Sequence, residues 1–313
     1  MAKTVGVIGL GAMGLGMAKS LRLAGHEVFA FDVRAGVAKA FAAEGGFACE
    51  SLAELGAACQ VVVSAVVNAA QTETVLFGDG SEPGKAAGCA AHMRPGSVFI
   101  MCSTVDPNWS AALEGRLEAI GLMYLDSPMS GGALKAAQGE ITLMTAGRPE
   151  VYAQCEDVLN AMAGKIYKLG DRAGAGSKVK IINQLLAGVH IAAAAEAMAL
   201  GLREGVDAAA LYDVITHSAG NSWMFENRMP AVVNNDYTAT SAVDIFVKDL
   251  GLVNDMARAS KFPLPLASTA HQMFMQAATA GYAREQDCAV IKIFPGITLP
   301  GGKNGQTIEA ELI

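Results

Sequence analysis

Along its first half the chain alternates short, almost wholly apolar runs with longer stretches in which apolar residues recur at helical spacing. Thr4-Val5-Gly6-Val7-Ile8 and Glu27-Val28-Phe29-Ala30-Phe31 read as strands, with a helix expected from Gly14 to Leu23 between them. Val61-Val62-Val63-Ser64, Ser97-Val98-Phe99-Ile100, Met123-Tyr124-Leu125 and Thr142-Leu143-Met144 continue the strand series. Runs this apolar and this rich in β-branched residues suit strands buried on both faces, the condition of a parallel sheet covered by helices. Right-handed crossovers then make the first half a doubly wound, Rossmann-type α/β sheet.

After residue 169 the pattern changes. Gly170, Gly174 and Gly176 form a hinge-like stretch, and from Ser177 onward the spacing is helical. One long apolar helix runs to about Arg203. Further helices are expected over Ala208–Thr216, 242–260 and 264–280, interrupted by Pro263 and Pro265. With no second strand series, the C-terminal half is expected to be an all-α domain. The expected organisation is a dinucleotide-binding Rossmann domain over 1–170, an all-helical substrate and oligomerisation domain over 171–295, and a tail over 296–313. Gly296, Pro300, Gly301, Gly302 and Gly305 break every periodicity in that tail, which is expected to be extended and mobile.

Composition narrows the classes. The 313 residues are 52% hydrophobic and 17% charged, enough to fill two cores. A net charge of −7 argues against a general nucleic-acid or membrane-surface binder, since both need clustered positive charge. The stretch 181–202 reaches membrane-spanning length, but Asn183, Gln184, His190 and Glu196 would be costly in lipid, so a buried helix of a soluble protein is expected. Its alanines at 192–195, 197 and 199 permit close packing, and a helix apolar on most faces needs covering. A homo-oligomer, dimer or tetramer, is therefore expected. The six cysteines (Cys49, Cys59, Cys89, Cys102, Cys155, Cys288) form no CxxC pair and have no companion histidines. They read as free thiols of a reducing cytoplasm. With only Lys3 before the first strand, no secretory leader is expected. The five histidines show no zinc spacing, and no metal is implied.

The first candidate chemistry is Gly9-Leu10-Gly11-Ala12-Met13-Gly14, which follows the first strand and opens a helix. Gly9 allows a tight turn, Gly11 lets backbone approach a pyrophosphate, and Gly14 lets helix pack close to strand. The helix N-terminus offers N–H groups and partial positive charge to an anion. A bare glycine pattern is weak, but this one has the required strand–turn–helix context, and Asp32 closes the second strand at about the 20-residue spacing of a ribose-binding carboxylate. A carboxylate there accepts ribose hydroxyls and repels a 2′-phosphate, which favours NAD; Arg34, two residues on, keeps NADP open.

Four motifs in order resemble the β-hydroxyacid dehydrogenase family, which includes 3-hydroxyisobutyrate dehydrogenase and tartronate semialdehyde reductase. They are the opening segment Val7 to Ala18, Asp126-Ser127-Pro128-Met129-Ser130-Gly131-Gly132 (Met where the family has Val), Gly174-Ala175-Gly176-Ser177-Lys178-Val179-Lys180-Ile181-Ile182-Asn183, and Lys248-Asp249-Leu250. The likeness covers roughly residues 3–292. Within the family, Val66 to Thr72 and Asn221 to Arg228 look most like a subgroup that oxidises the C2 hydroxyl of the four-carbon sugar acid L-threonate.

The resemblance implies NAD-dependent oxidation of a small hydroxy acid. It implies Ser130, Gly131 and Gly132 as a carboxylate cradle, where the residues alone would read as a turn. It implies Lys180 as the acid/base, where a lysine near a helix start would otherwise read as a surface group. Such a lysine must be neutral to take the hydroxyl proton, against a free pKa near 10.4. A helix N-terminus and a dry cleft both act in that direction. Asn183 and Gln184 stand at i+3 and i+4, on the face of Lys180, able to position substrate oxygens or the lysine; Lys178 lies on a different face. Thr104 matches a family position near the nicotinamide, and Lys248 one at the cofactor or active-site cleft, with a surface ion pair as the plainer account of Lys248. Asn221, Trp223 and Phe225 could shape a pocket, or the two aromatics could simply pack. Substrates such as 3-hydroxyisobutyrate or D-glycerate stay open, as does a catalytically silent dinucleotide-binding scaffold.

Overall fold

The structure is a computed structural model that describes residues 2–78 and 88–301. The chain divides into two compact units, Met1–Lys180 and Ile181–Ile313.

Among the described residues the first unit contains nine strands: β1 (Thr4–Ile8), β2 (Glu27–Phe31), β3 (Phe47–Ala48), β4 (Val61–Ser64), β5 (Val98–Met101), β6 (Met123–Asp126), β7 (Met129–Ser130), β8 (Ile141–Thr145) and β9 (Ala163–Lys168). Its helices are α1 (Gly14–Leu23), α2 (Ala35–Ala43), α3 (Leu52–Ala58), α4 (Ala69–Phe77), α5 (Pro107–Ala119), α6 (Gly132–Gln138) and α7 (Pro149–Met162). β3-β2-β1-β4-β5-β6 form one parallel sheet in that order. This is the doubly wound Rossmann order, whose direction reverses between β1 and β4. The pleat shows why continuous apolar runs are needed. Val61, Val63, Val98 and Ile100 enter one core, while Val62, Phe99 and Met101 enter the other.

The Thr142 run does not extend this sheet. As part of β8 it belongs to a second, three-stranded sheet, antiparallel to β7 and parallel to β9. An apolar run records burial but not which sheet buries it. β8 carries its inward residues Ile141 and Leu143 into the same core that α1 and α7 fill.

α8 (Ala175–Arg203) begins in the first unit and continues into the second. By compactness the chain divides within that helix, between Lys180 and Ile181. Its first residues are tied to the first unit by Gly174 and Ser177, described below. The second unit adds α9 (Ala208–Thr216), α10 (Trp223–Val233), α11 (Val243–Ser260) and α12 (Pro265–Ala277), with a 3-10 helix over Asp287–Ile293. Among its described residues the regular elements are all helical, apart from an isolated bridge between Ala242 and Gln286. α10 is absent from the elements expected on periodicity: Ser222 caps it by accepting from Phe225 N–H at 3.0 Å, and it continues past an internal Pro230. Of the expected tail, Ile297 and Leu299 pack on the helical core and Gly296 O accepts from Arg203 at 3.1 Å, so 296–301 are not a detached extension. Residues 302–313 lie outside the described residues.

Candidate active site

The turn after β1 carries out the geometry its glycines promise. Gly9 has φ +88°, a left-handed conformation that glycine adopts without strain. A Cβ on Gly14 would sit 1.8 Å from Gly9 O, so only glycine lets α1 start this close to the strand. At Gly11 a Cβ would meet nothing within 4 Å. No neighbour inside the fold requires that glycine, which leaves an open backbone that a diphosphate can approach. The start of α1, beginning beyond Met13, has no acidic residue in its first turn and no side-chain cap, so its positive end faces an anion without competition. These features fit a dinucleotide. Gly16, the fourth glycine of the opening segment, serves helix packing instead. A Cβ there would fall 2.6 Å from Ala137 N, where α1 and α6 meet.

Asp32, at the end of β2, is 8% exposed. It accepts from Leu10 N–H at 2.7 Å, from Arg34 N–H at 2.9 Å, and from the Arg34 guanidinium at 2.9 and 3.1 Å. The Arg34 side-chain hydrogen bond holds its carboxyl below the ordinary 3.8, outweighing burial. Ala12 and Met13 complete the turn. Thr104 follows β5 and is half-buried. Its neighbour Ser103 donates to Val66 O at 2.6 Å, tying the loops after β4 and β5 at the carboxyl edge of the sheet. Ligands of open α/β sheets bind at this edge.

Ser130-Gly131-Gly132 leads from β7 into α6, with Gly131 at φ +134° and Gly132 at φ +78°. Two consecutive positive φ values demand glycine, and a Cβ on Gly132 would meet nothing within 4 Å. The backbone is therefore exposed to an approaching group.

Sequence reasoning quotes Asp126, the last residue of β6, within a motif but misses its role. It is fully buried and accepts from Gly174 N–H at 2.8 Å, Ser177 N–H at 3.0 Å and Ser177 Oγ at 2.7 Å. It thus holds the start of the helix that bears Lys180. Burial raises its carboxyl pKa, only partly countered by Ser177 and Gly174. Gly176 is required here too, since a Cβ would lie 2.2 Å from Met144 O. Just upstream, Arg172 pairs at 2.9 Å with the nearly buried Glu114, which also accepts from Ala173 N–H. Lys180 is 7% exposed, whereas Lys178 faces solvent. With α8 starting at Ala175, Lys180 lies in its second turn, where the dipole acts less than in the first.

In the second unit, four polar residues form a chain. Asn183 Nδ2 donates to Gln184 Oε1 at 3.0 Å, Gln184 Nε2 donates to Asp249 Oδ2 at 2.6 Å, and Lys248 Nζ pairs with Asp249 Oδ1. Asp249 is 1% exposed and Gln184 7%. Both ends of the Gln184 amide thus have protein partners. No sequence spacing shows the link, because α8 and α11 supply its two halves. Phe225 is buried and stacks on Tyr212 with centroids 5.9 Å apart, so it packs the core, while Trp223 is 51% exposed. Asn221 donates to Thr216 O and to Glu226. All six cysteines are buried as free thiols, and burial pushes their pKa values to about 12, far from thiolate chemistry.

Two family profiles match the chain: the NAD binding domain of 6-phosphogluconate dehydrogenase over residues 4–170, and the NAD-binding region of NADP-dependent 3-hydroxyisobutyrate dehydrogenase over residues 174–294. The chain is 64% identical over 301 residues to the L-threonate dehydrogenase of Cupriavidus necator, covering 96% of this chain and 99% of that one. It is 50% identical over 313 residues to the L-threonate dehydrogenase of Escherichia coli K12, covering 96% and 97%. A crystal structure described as 3-hydroxyisobutyrate dehydrogenase from Salmonella typhimurium superposes with TM-score 0.88 at 51% identity, covering 93% of this chain and all of that one. With a dinucleotide turn that fits its cofactor and relatives matched along nearly its whole length, the chain belongs to the 3-hydroxyisobutyrate dehydrogenase family of NAD-dependent hydroxyacid dehydrogenases.

Proposed function

We propose that this enzyme oxidises the C2 hydroxyl of L-threonate to 2-dehydro-L-erythronate. The observation that carries the substrate is the identity, half or more along nearly the whole chain, with relatives named for that activity. NAD, when bound, supplies the acceptor for the hydride leaving C2. Gly9, Leu10, Gly11, Ala12, Met13 and Gly14 cradle its diphosphate, Asp32 accepts from its adenosine ribose, and Thr104 and Lys248 serve the cofactor as well.

On the substrate side, Ser130 and the exposed backbone of Gly131 and Gly132 hold the carboxylate. Neutral Lys180 takes the hydroxyl proton on its Nζ as the carbonyl forms. Asn183 orients the reacting oxygen. Gln184, whose amide is already bonded to Asn183 and Asp249, fits support of Asn183 better than direct substrate contact. The burial of Lys180 speaks against a silent scaffold, which has no use for a sequestered lysine.

We read the protein as cytoplasmic, in keeping with its buried free thiols, and as a homo-oligomer. α8 is long and apolar enough to cross a membrane by length and composition, with 44% of its most apolar window buried within this chain. Ile182, Leu186 and Leu200 stay exposed along it, an apolar row that a second copy would cover.

A second reading, 3-hydroxyisobutyrate oxidation, is favoured by the description of the Salmonella structure. NADH formation from L-threonate, other four-carbon aldonates, D-glycerate and 3-hydroxyisobutyrate separates the two. L-threonate should give the highest kcat/KM; an inert L-threonate beside a turned-over 3-hydroxyisobutyrate would replace the first reading by the second.

A further inference from the structure

Asp32 has more donors than a ribose acceptor should. A carboxylate offers about four lone-pair positions. Here Oδ1 takes Arg34 N–H and Nε, and Oδ2 takes Leu10 N–H and Arg34 Nη2. The two backbone donors belong to the glycine turn and to the residue that opens α2, and cannot leave without remodelling both. The two guanidinium donors can. The Arg34 side chain is 61% exposed, against 5% for that of Asp32, and among the described residues its guanidinium otherwise makes a long 3.4 Å contact to Leu10 O. An adenosine ribose can therefore reach the carboxylate only where the guanidinium now lies.

We propose that Arg34 is a movable occupant of the ribose acceptor: NAD displaces its guanidinium from Asp32, and the displaced guanidinium is the ligand for a 2′-phosphate when NADP binds instead. The inference rests on the reading of Asp32 as ribose acceptor. It makes cofactor choice a competition at one carboxylate, in place of a fixed exclusion by it. With NAD, the displaced guanidinium gains no anion and the enzyme loses an exposed ion pair. With NADP, the same displacement is answered by a charge-assisted, bidentate contact that Arg suits better than Lys. Arg34 thus lowers NAD affinity slightly and permits NADP binding that Asp32 alone would repel.

The test is equilibrium binding of NAD and NADP to the full-length enzyme, read by calorimetry without substrate. Arg34→Gln should tighten NAD about 2- to 5-fold, the equivalent of an exposed ion pair no longer to be broken, and weaken NADP at least about 10-fold. Arg34→Lys, which keeps the charge but cannot span both carboxylate oxygens, should lie between wild type and Arg34→Gln for both cofactors. An unchanged or weakened NAD affinity in Arg34→Gln, or an unchanged NADP affinity, overturns the proposal. Asp32→Ser tells the two failures apart. If it weakens NAD at least about 10-fold while Arg34→Gln has no effect, the ribose acceptor stands and the movable guanidinium fails. If Asp32→Ser leaves NAD binding unaltered, the ribose reading itself is wrong and the inference falls with it.

Discussion

Single residues carry charge and conformation here, and Asp32 shows how the two combine. Its carboxyl is held below the ordinary value chiefly by the Arg34 side chain. A carboxyl depressed in the folded state stabilises the fold above its unfolded pKa, and that contribution disappears as pH falls through the folded value. The ion pair with the exposed Arg34 should therefore contribute less than about 1 kcal/mol at neutral pH, and Asp32→Asn should lose it together with one of the two backbone bonds, since its single acceptor oxygen cannot take both Leu10 N–H and Arg34 N–H. The gap to wild type should narrow below about pH 4, as followed by urea unfolding across pH. The roles of Gly9 and Gly14 and the position of Asp32 are legible because each leaves a trace in local spacing. The competition between Arg34 and a ribose is not, since spacing gives no donor count. Asp126 is invisible as a positioning residue for a related reason. Its partners Gly174 and Ser177 lie far along the chain, and nothing within the Asp126–Gly132 segment points to them.

At the scale of elements, the Asp126 clasp fixes where α8 begins and so where Lys180 is presented. Asp126→Ala would leave Gly174 N–H, Ser177 N–H and Ser177 Oγ buried without their acceptor, at a cost of about 1–3 kcal/mol per orphaned group. Asp126→Asn keeps one acceptor oxygen for the two N–H groups and offers an amide to Ser177 Oγ, without the burden of a buried charge. Unfolding and steady-state kinetics should therefore rank wild type and Asp126→Asn close together in stability, with Asp126→Ala lower in both stability and kcat and its KM for NAD unchanged. Equal kcat in all three would remove Asp126 from the positioning of Lys180. β1, β2, β4, β5 and β6, like α1, α8, α9, α11 and α12, are readable because their pattern runs for several residues, whereas the six-residue β9, none of whose residues is fully buried, is not named by it. β3 and β7, two residues each, are too short to register, and α10 is hidden by Pro230 and by the polar run Glu226-Asn227-Arg228.

For the whole molecule, the sequence separates a doubly wound sheet from a helical second half because the hydrophobic period changes near residue 170. The compact units meet a little further on, within α8, because compactness follows contacts. The first turns of α8 are bound through Gly174 and Ser177 to Asp126, so the first unit extends to Lys180. Assignment of β8 to the wrong sheet has the same root, since pairing partners are not encoded in a single run. The consequence for function is that the candidate acid/base belongs, by backbone contacts, to the unit that carries the dinucleotide turn and the Ser130-Gly131-Gly132 cradle. Turnover of L-threonate by Lys180→Ala, at saturating NAD and with NAD binding checked in the same preparation, tests that assignment most directly. The account predicts a kcat lower by about 10²- to 10⁴-fold with NAD affinity retained; a near-normal kcat would contradict it.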